Sequence, residues 1–211
     1  MDDETNNVIK IAELLNANEI DFDAIQNATI MMLKAFGEDT NREGLLRTPE
    51  RVSQMYSELL AGYRIDPIAL VNDAIFDVEY DEMVLVRDIE FYSLCEHHLL
   101  PIFGRAHVAY IPKGKVIGLS KIPRIVDLFA RRLQLQERMT SQIADFLRKL
   151  LNPQGVGVVL EGLHLCSMMR GVKKHEARMT TSAMRGTFRS SLATRQEFLD
   201  NISRGRGSLN L

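Results

Sequence analysis

The apolar pattern of this chain changes period near Met83, and that change limits the folds open to it. Before it, apolar residues recur at helical spacing. Phe22, Ile25, Ala28, Met32 and Ala35 form one stripe, which Gly37 ends. Thr48-Pro49-Glu50 reads as a helix start: Thr48 caps, Pro49 takes the first helical position and Glu50 favours the positive helix end. Val52, Met55, Tyr56 and Leu59 continue that helix, with Gly62 as its stop. Before both helices, the stretch 1–18 is polar with a short apolar cluster and reads as a frayed helix or docking arm. From Met83 the texture is that of strands. The stretches 83–92 and 105–111 are rich in β-branched and aromatic residues, and Pro112-Lys113-Gly114 predicts a hairpin turn into 115–118.

Helical spacing returns after Ser120, a candidate cap. Ile122, Ile125, Val126, Phe129 and Leu133 share one face. A further helix carries Met139, Ile143, Phe146, Leu147 and Leu150, and Asn152-Pro153 stops it. Stretches 155–169 and 179–188 are two more strand candidates, and Thr194 is placed to cap a last short helix. Helices, hairpin, two helices, hairpin, helix is an order that favours an α+β fold with an antiparallel sheet. The domain reading is a helical region over 1–80 and one mixed strand-and-helix unit over 81–211.

Composition removes several function classes. The formal net charge is -2, against the strongly basic balance of most nucleic-acid binders. No apolar run approaches the ~20 residues of a membrane span, and the opening residues carry no secretory pattern. The expectation is a reduced, cytoplasmic chain, where two cysteines more often bind metal or act chemically than pair. No G-x-x-x-x-G-K-[ST] loop is present.

The chemistry-bearing residues lie in two segments. Cys95 and His98 have the Cys-x-x-His spacing at which one turn presents two metal ligands. His164 and Cys166 fall in the strand candidate from Gly155, where alternation puts His164, Cys166, Met168 and Arg170 on one face. Cys95, His98 and Cys166 on one ion would suit Zn²⁺ and leave a fourth position for water, as in catalytic zinc sites. His97 and His164 would then remain as proton carriers. A Cys95–Cys166 disulfide, or two unrelated thiols, is the alternative. Ser120, Lys121 and Arg124 at a helix start suit phosphate, although a solvated basic face has the same sequence. Gln136-Glu137 offers a carboxylate for paired N–H donors. His107 and His175 are read as ordinary histidines.

Several motifs together resemble the type I GTP cyclohydrolase family. They are Cys-Glu-His-His-Leu-Leu-Pro (95–101), Gly-Leu-Ser-Lys-Ile-Pro-Arg (118–124), Gln-Leu-Gln-Glu-Arg (134–138) and His-Leu-Cys-Ser-Met-Met-Arg-Gly (164–171). Thr-Pro-Glu-Arg (48–51) and Thr-Phe-Arg (187–189) agree. The resemblance implies a T-fold, with an antiparallel sheet, helices on one side and an N-terminal helical region. It also implies assembly into a toroidal homodecamer with active sites between subunits. It implies hydrolysis of GTP to formate and 7,8-dihydroneopterin triphosphate, the first step of pterin and folate synthesis. By position, Cys95, His98 and Cys166 become zinc ligands, and His97 and His164 proton-transfer residues. Glu137 is expected to hold the guanine edge with Gln136 nearby, and Glu96 to lie in the site. Ser120, Lys121, Arg124 and Arg170 would hold ribose and triphosphate, with Arg51 a further phosphate contact. The competing readings are a nitrile reductase on the same fold and a zinc-stabilised, non-catalytic oligomerisation module.

Overall fold

The computed structural model describes residues 19–71 and 74–203; the 1–18 arm lies outside the described residues. Helix α1 spans Phe22–Ala35, with the Asp21 side chain accepting from the Ala24 N–H at 2.9 Å. Gly37, at φ 82°, turns the chain away as expected. Helix α2 spans Thr48–Leu59. Thr48 is its first residue rather than its cap, and its hydroxyl donates back to the Gly44 carbonyl at 3.3 Å. A 3-10 turn at Ala61–Tyr63 and a short α3 at Pro67–Val71 follow.

Strand β1, Ile75–Asp77, leads into the long strands β2 (Val84–Cys95) and β3 (Pro101–Ile111). The turn at Pro112-Lys113-Gly114 does not close a hairpin. Strand β3 already has β2 on one edge and β6 (Gly155–His164) on the other, so no edge is free for a third partner. Strand β4, Lys115–Ile117, instead pairs antiparallel with β1. Among the described residues the main sheet has the order β5-β2-β3-β6-β7, where β5 is Leu133–Gln134 and β7 is Met179–Gly186. All its neighbours are antiparallel except β5 and β2.

The two amphipathic stripes read from the sequence are helices α4 (Lys121–Ala130) and α5 (Gln136–Leu151), except that Leu133, expected on the first stripe, lies past the end of α4 in β5. Ile122, Ile125, Val126 and Phe129, with Met139, Ile143, Phe146, Leu147 and Leu150, are buried with sheet residues Val108, Tyr110, Val156, Val158 and Leu160 in one core. Removing that apolar area from water is the main stabilising term. Helix α5 ends at Asn152, which takes the left-handed conformation of a helix stop.

Cover on one face only was the expectation, and the sheet departs from it. Along β6, Val156, Val158 and Leu160 face α5, while Val159 on the other face joins a second core with Ala109, Phe188, Phe198 and Ile202. Helices α7 (Thr187–Ser190) and α8 (Leu192–Ser203) supply that second layer. Both faces are apolar at this end of the sheet, so both need cover. A Cβ on Gly157 would stand 2.7 Å from the Phe188 ring, so the glycine lets the layer close. Ser191, not Thr194, starts α8: its Oγ accepts from the Thr194 N–H at 3.2 Å.

Candidate active site

Strand β2 carries a bulge between Val86 and Ile89. Before it, Val84 and Val86 face the α4–α5 core; after it, Ile89, Phe91 and Cys95 do. The extra residue changes the parity of the strand, so odd-numbered Cys95 arrives buried on the core face. The chain then turns tightly. The His98 and Leu99 N–H groups both donate to the Cys95 carbonyl, at 3.2 and 2.8 Å, with Leu99 at φ 54°. The turn folds His98 Nδ1 to 3.7 Å from Cys95 Sγ.

Cys166 arrives differently from the expected strand alternation. Strand β6 ends at His164, and residues Leu165–Met168 form one helical turn, α6. The cause is loss of partners. Ile102, next to the first residue of β3, pairs with His164, and the β7 ladder stops at Gly162. Beyond that point the backbone has no neighbouring strand and satisfies itself locally; Met169 N–H donates to the Leu165 carbonyl at 3.1 Å. Cys166 therefore shares the site with His164 through a helical turn, and Met168 and Arg170 do not follow by alternation.

The result is a cluster in which Cys95 Sγ, His98 Nδ1 or Nε2 and Cys166 Sγ lie within 4.8 Å of one another. Both cysteines are free thiols, which removes the disulfide alternative. Burial pushes the Cys166 thiol up, the adjacent Cys95 sulfur adds to this, and Arg170 opposes it. Two crowded sulfurs resist becoming two thiolates, and a divalent cation between them relieves that cost. Softness, number and spacing of the donors fit Zn²⁺, and His98 is solvent-exposed, so the group is open on one side.

A cavity of about 190 Å³ adjoins the cluster. Its lining includes His97, His164, Gln136 and Glu137 beside the three sulfur and imidazole groups. His97 is exposed on the turn, its ring edge-on to His98 at 6.1 Å between centroids. Burial lowers the His164 pKa, with Glu137 pulling the other way, so the ring favours its neutral form. Glu137 opens α5 with its side chain exposed. Gln136, expected near Glu137 and the guanine, lines the cavity with it, although the residue is only 1% exposed and its carboxamide nitrogen faces the Leu160 and Met179 carbonyls.

Ser120, Lys121, Arg124 and Arg51 line no part of this cavity. Ser120 is exposed and makes no capping bond, and Lys121 Nζ donates to the Leu70 carbonyl at 2.8 Å. Arg124 lines a separate cavity with Ile65, Leu70, Asp127 and Arg131. Arg51 is exposed on α2 and lines neither cavity. Glu96 is held by an ion pair from Arg138, which also donates to Gln134 Oε1 at 3.1 Å and the Leu133 carbonyl at 3.0 Å. Arg138 was missed in the sequence: its partners Glu96, Gln134 and Leu133 lie on two other strands or their ends, so no local spacing pointed to it.

Against known proteins, the family model described as GTP cyclohydrolase I matches residues 25–203. The chain belongs to the GTP cyclohydrolase I family. GTP cyclohydrolase 1 of Chlorobaculum tepidum is 58% identical over 176 residues, 83% of this chain and 79% of that protein. GTP cyclohydrolase 1 of Leptospira biflexa is 58% identical over 181 residues, covering 86% and 99% of the two chains. The Campylobacter curvus GTP cyclohydrolase 1 is 56% identical over 181 residues, covering 86% and 95%. Among solved structures, an apo archaeosine synthase QueF-Like aligns with TM-score 0.42 and 19% identity over 49% of this chain and 93% of that one, too distant a likeness to bear on function.

Proposed function

We propose that this member of the GTP cyclohydrolase I family hydrolyses GTP at purine C8, releases formate and rearranges the ribose to give 7,8-dihydroneopterin triphosphate, the first step of pterin and folate synthesis. The observation that carries the reading is the convergence of Cys95, His98 and Cys166 beside a cavity lined by two further histidines and a glutamate. We take Zn²⁺ as the ion those three residues hold. When bound, it supplies a Lewis acid that makes water nucleophilic near neutral pH.

The chain's own residues do the rest. His97, on the exposed turn, gives a proton to purine N7 as C8 is attacked. Glu137 at the start of α5 accepts the N1 and N2 hydrogens of guanine, and Glu96, anchored by Arg138, borders the site. His164 serves proton transfer during ribose opening, with Ser120 at the sugar. Lys121, Arg124, Arg170 and, further out, Arg51 bind triphosphate, which does not react; its binding energy holds C8 in place.

Ser120, Lys121 and Arg124 lie outside the cavity of their own chain. The reading therefore takes them from an adjacent copy, in a toroidal homodecamer whose sites lie between subunits. We take 1–80 as the N-terminal region and 81–211 as the catalytic part, although β1 at Ile75–Asp77 already pairs with β4 across that boundary. Among the described residues no helix is long and apolar enough to cross a membrane. Two free thiols suit the reducing cytoplasm, which we take as the compartment.

Incubating the purified protein with GTP, and following pterin fluorescence together with formate, tests the reaction. The expected result is equimolar formate and pterin, abolished by a chelator and restored by zinc. GTP left intact by zinc-loaded protein would overturn it.

A further inference from the structure

The carboxamide of Gln136 has a hydrogen-bond environment that admits one orientation. Its nitrogen lies 2.9 Å from the Met179 carbonyl, 3.2 Å from the Leu160 carbonyl and 3.1 Å from Thr181 Oγ1. Two of these are carbonyl oxygens, which only accept, so the NH₂ group must face them. Reversing the amide would set its oxygen against two carbonyls. The carboxamide oxygen therefore faces the other way, 2.9 Å from Nε2 of His164.

The hydroxyls around it agree. Thr140 Oγ1 donates to the Gln136 backbone carbonyl at 2.6 Å, which uses its only hydrogen. The 2.6 Å contact between Thr140 and Thr181 is then made with the Thr181 hydrogen, leaving Thr181 Oγ1 to accept from Gln136. The two amide hydrogens of Gln136 are thus shared among three acceptors, and none of the three can donate to them. The pocket for the carboxamide is also built to size: a Cβ on Gly162 would stand 2.3 Å from Gln136 Oε1. With Gln136 1% exposed, water does not compete for that oxygen.

An amide oxygen only accepts, so Nε2 of His164 must carry a hydrogen to make this bond. We infer that Gln136 is a positioning residue that fixes the tautomer of His164: Nε2 carries the hydrogen and donates it to the carboxamide oxygen, which leaves Nδ1 bare in the neutral ring. Gln136 thus acts through His164 rather than on the guanine. The location of the hydrogen stands on the network alone; its use in catalysis rests on the reaction proposed above.

The test is ¹⁵N NMR by magic-angle spinning on the zinc-loaded, full-length protein labelled only at histidine. The pH is set above the histidine range so that neutral rings are read. Only five histidines contribute, and His164 is assigned by the signals lost in His164→Gln. The expected signature is a protonated Nε2 and a bare Nδ1. A hydrogen on Nδ1 with bare Nε2, or an exchanging mixture of the two, overturns the inference, whether or not any variant folds. Gln136→Leu, close in volume but without the acceptor, is expected to lose the single tautomer. Its kcat should fall by about 10²-fold while KM for GTP and bound zinc hold. An unchanged kcat in folded, zinc-loaded Gln136→Leu overturns the positioning role. A single Nε2–H tautomer in wild-type protein that releases no formate would instead refute the proposed reaction and leave the hydrogen assignment standing.

Discussion

The backbone N–H of Asp88 donates to Nδ1 of His107 across the β2–β3 ladder at 3.2 Å. Asp88 is the bulge residue, at φ 59°, and Arg105 pairs with its carboxylate at 3.3 Å. The bulge gives β2 the parity that turns Cys95 toward His98 and Cys166, so a histidine outside that cluster secures the placement of one of its members. His107→Leu should cost about 1 kcal/mol, the scale for leaving a part-buried donor without its partner. Denaturant unfolding with zinc titration checks this, and wild-type stability together with wild-type zinc affinity would contradict it.

Gly104 sits opposite Gly162 in the β3–β6 ladder. A Cβ there would stand 1.9 Å from the Glu161 carbonyl oxygen, which is backbone and has no room to retreat. Gly104→Ala should destabilise the chain by about 3–5 kcal/mol. Thermal or denaturant unfolding measures it, and a midpoint equal to wild type would show that the ladder yields more than its geometry allows.

Arg138 ties Glu96 to Gln134 and Leu133 and so braces the turn that follows Cys95. The Arg138–Glu96 pair is substantially solvent-exposed, so Arg138→Leu should change stability by about 1 kcal/mol or less. Outer groups that orient metal ligands matter more for the metal, and zinc affinity should drop about 10-fold. Chelator competition measures this, with equal affinities as the contrary result.

Asp127 on α4 has its pKa raised by burial, with Arg131 opposing. A carboxyl with a folded pKa above its unfolded value favours folding while protonated. That contribution is lost as pH rises from the ordinary aspartate range through the raised value. Asp127→Asn should remove this acid-side component and leave stability at neutral pH no lower than wild type. Unfolding midpoints across the acid range test the sign. A variant that loses stability only above that range would reverse it.

Much of the fold was legible because its signals are periodic. The α4 and α5 stripes and the stops at Gly37 and Asn152 needed only apolar spacing and turn chemistry. The site was legible through Cys95 and His98, whose spacing belongs to a single turn. Cys166 was placed in the right company by the wrong route, since where β6 ends depends on where β3 and β7 stop. The β1–β4 pairing and the second helical layer were hidden for a related reason: both depend on which sheet edges and faces remain free. Lys121 and Arg124 were visible as a cation pair, but nothing local tells whether a helix start faces the cavity of its own chain. The role of His107 was invisible because a bulge is a relation between strands.

The central claim is that Cys95, His98 and Cys166 hold the ion on which GTP hydrolysis depends. Zinc content by elemental analysis and formate release from GTP, measured on the same samples of wild type and Cys166→Ala, test it most directly. The account predicts stoichiometric zinc and formate in wild type, and loss of both in a folded Cys166→Ala variant. A variant that retains zinc and turnover, or a wild type that releases formate without zinc, would contradict it.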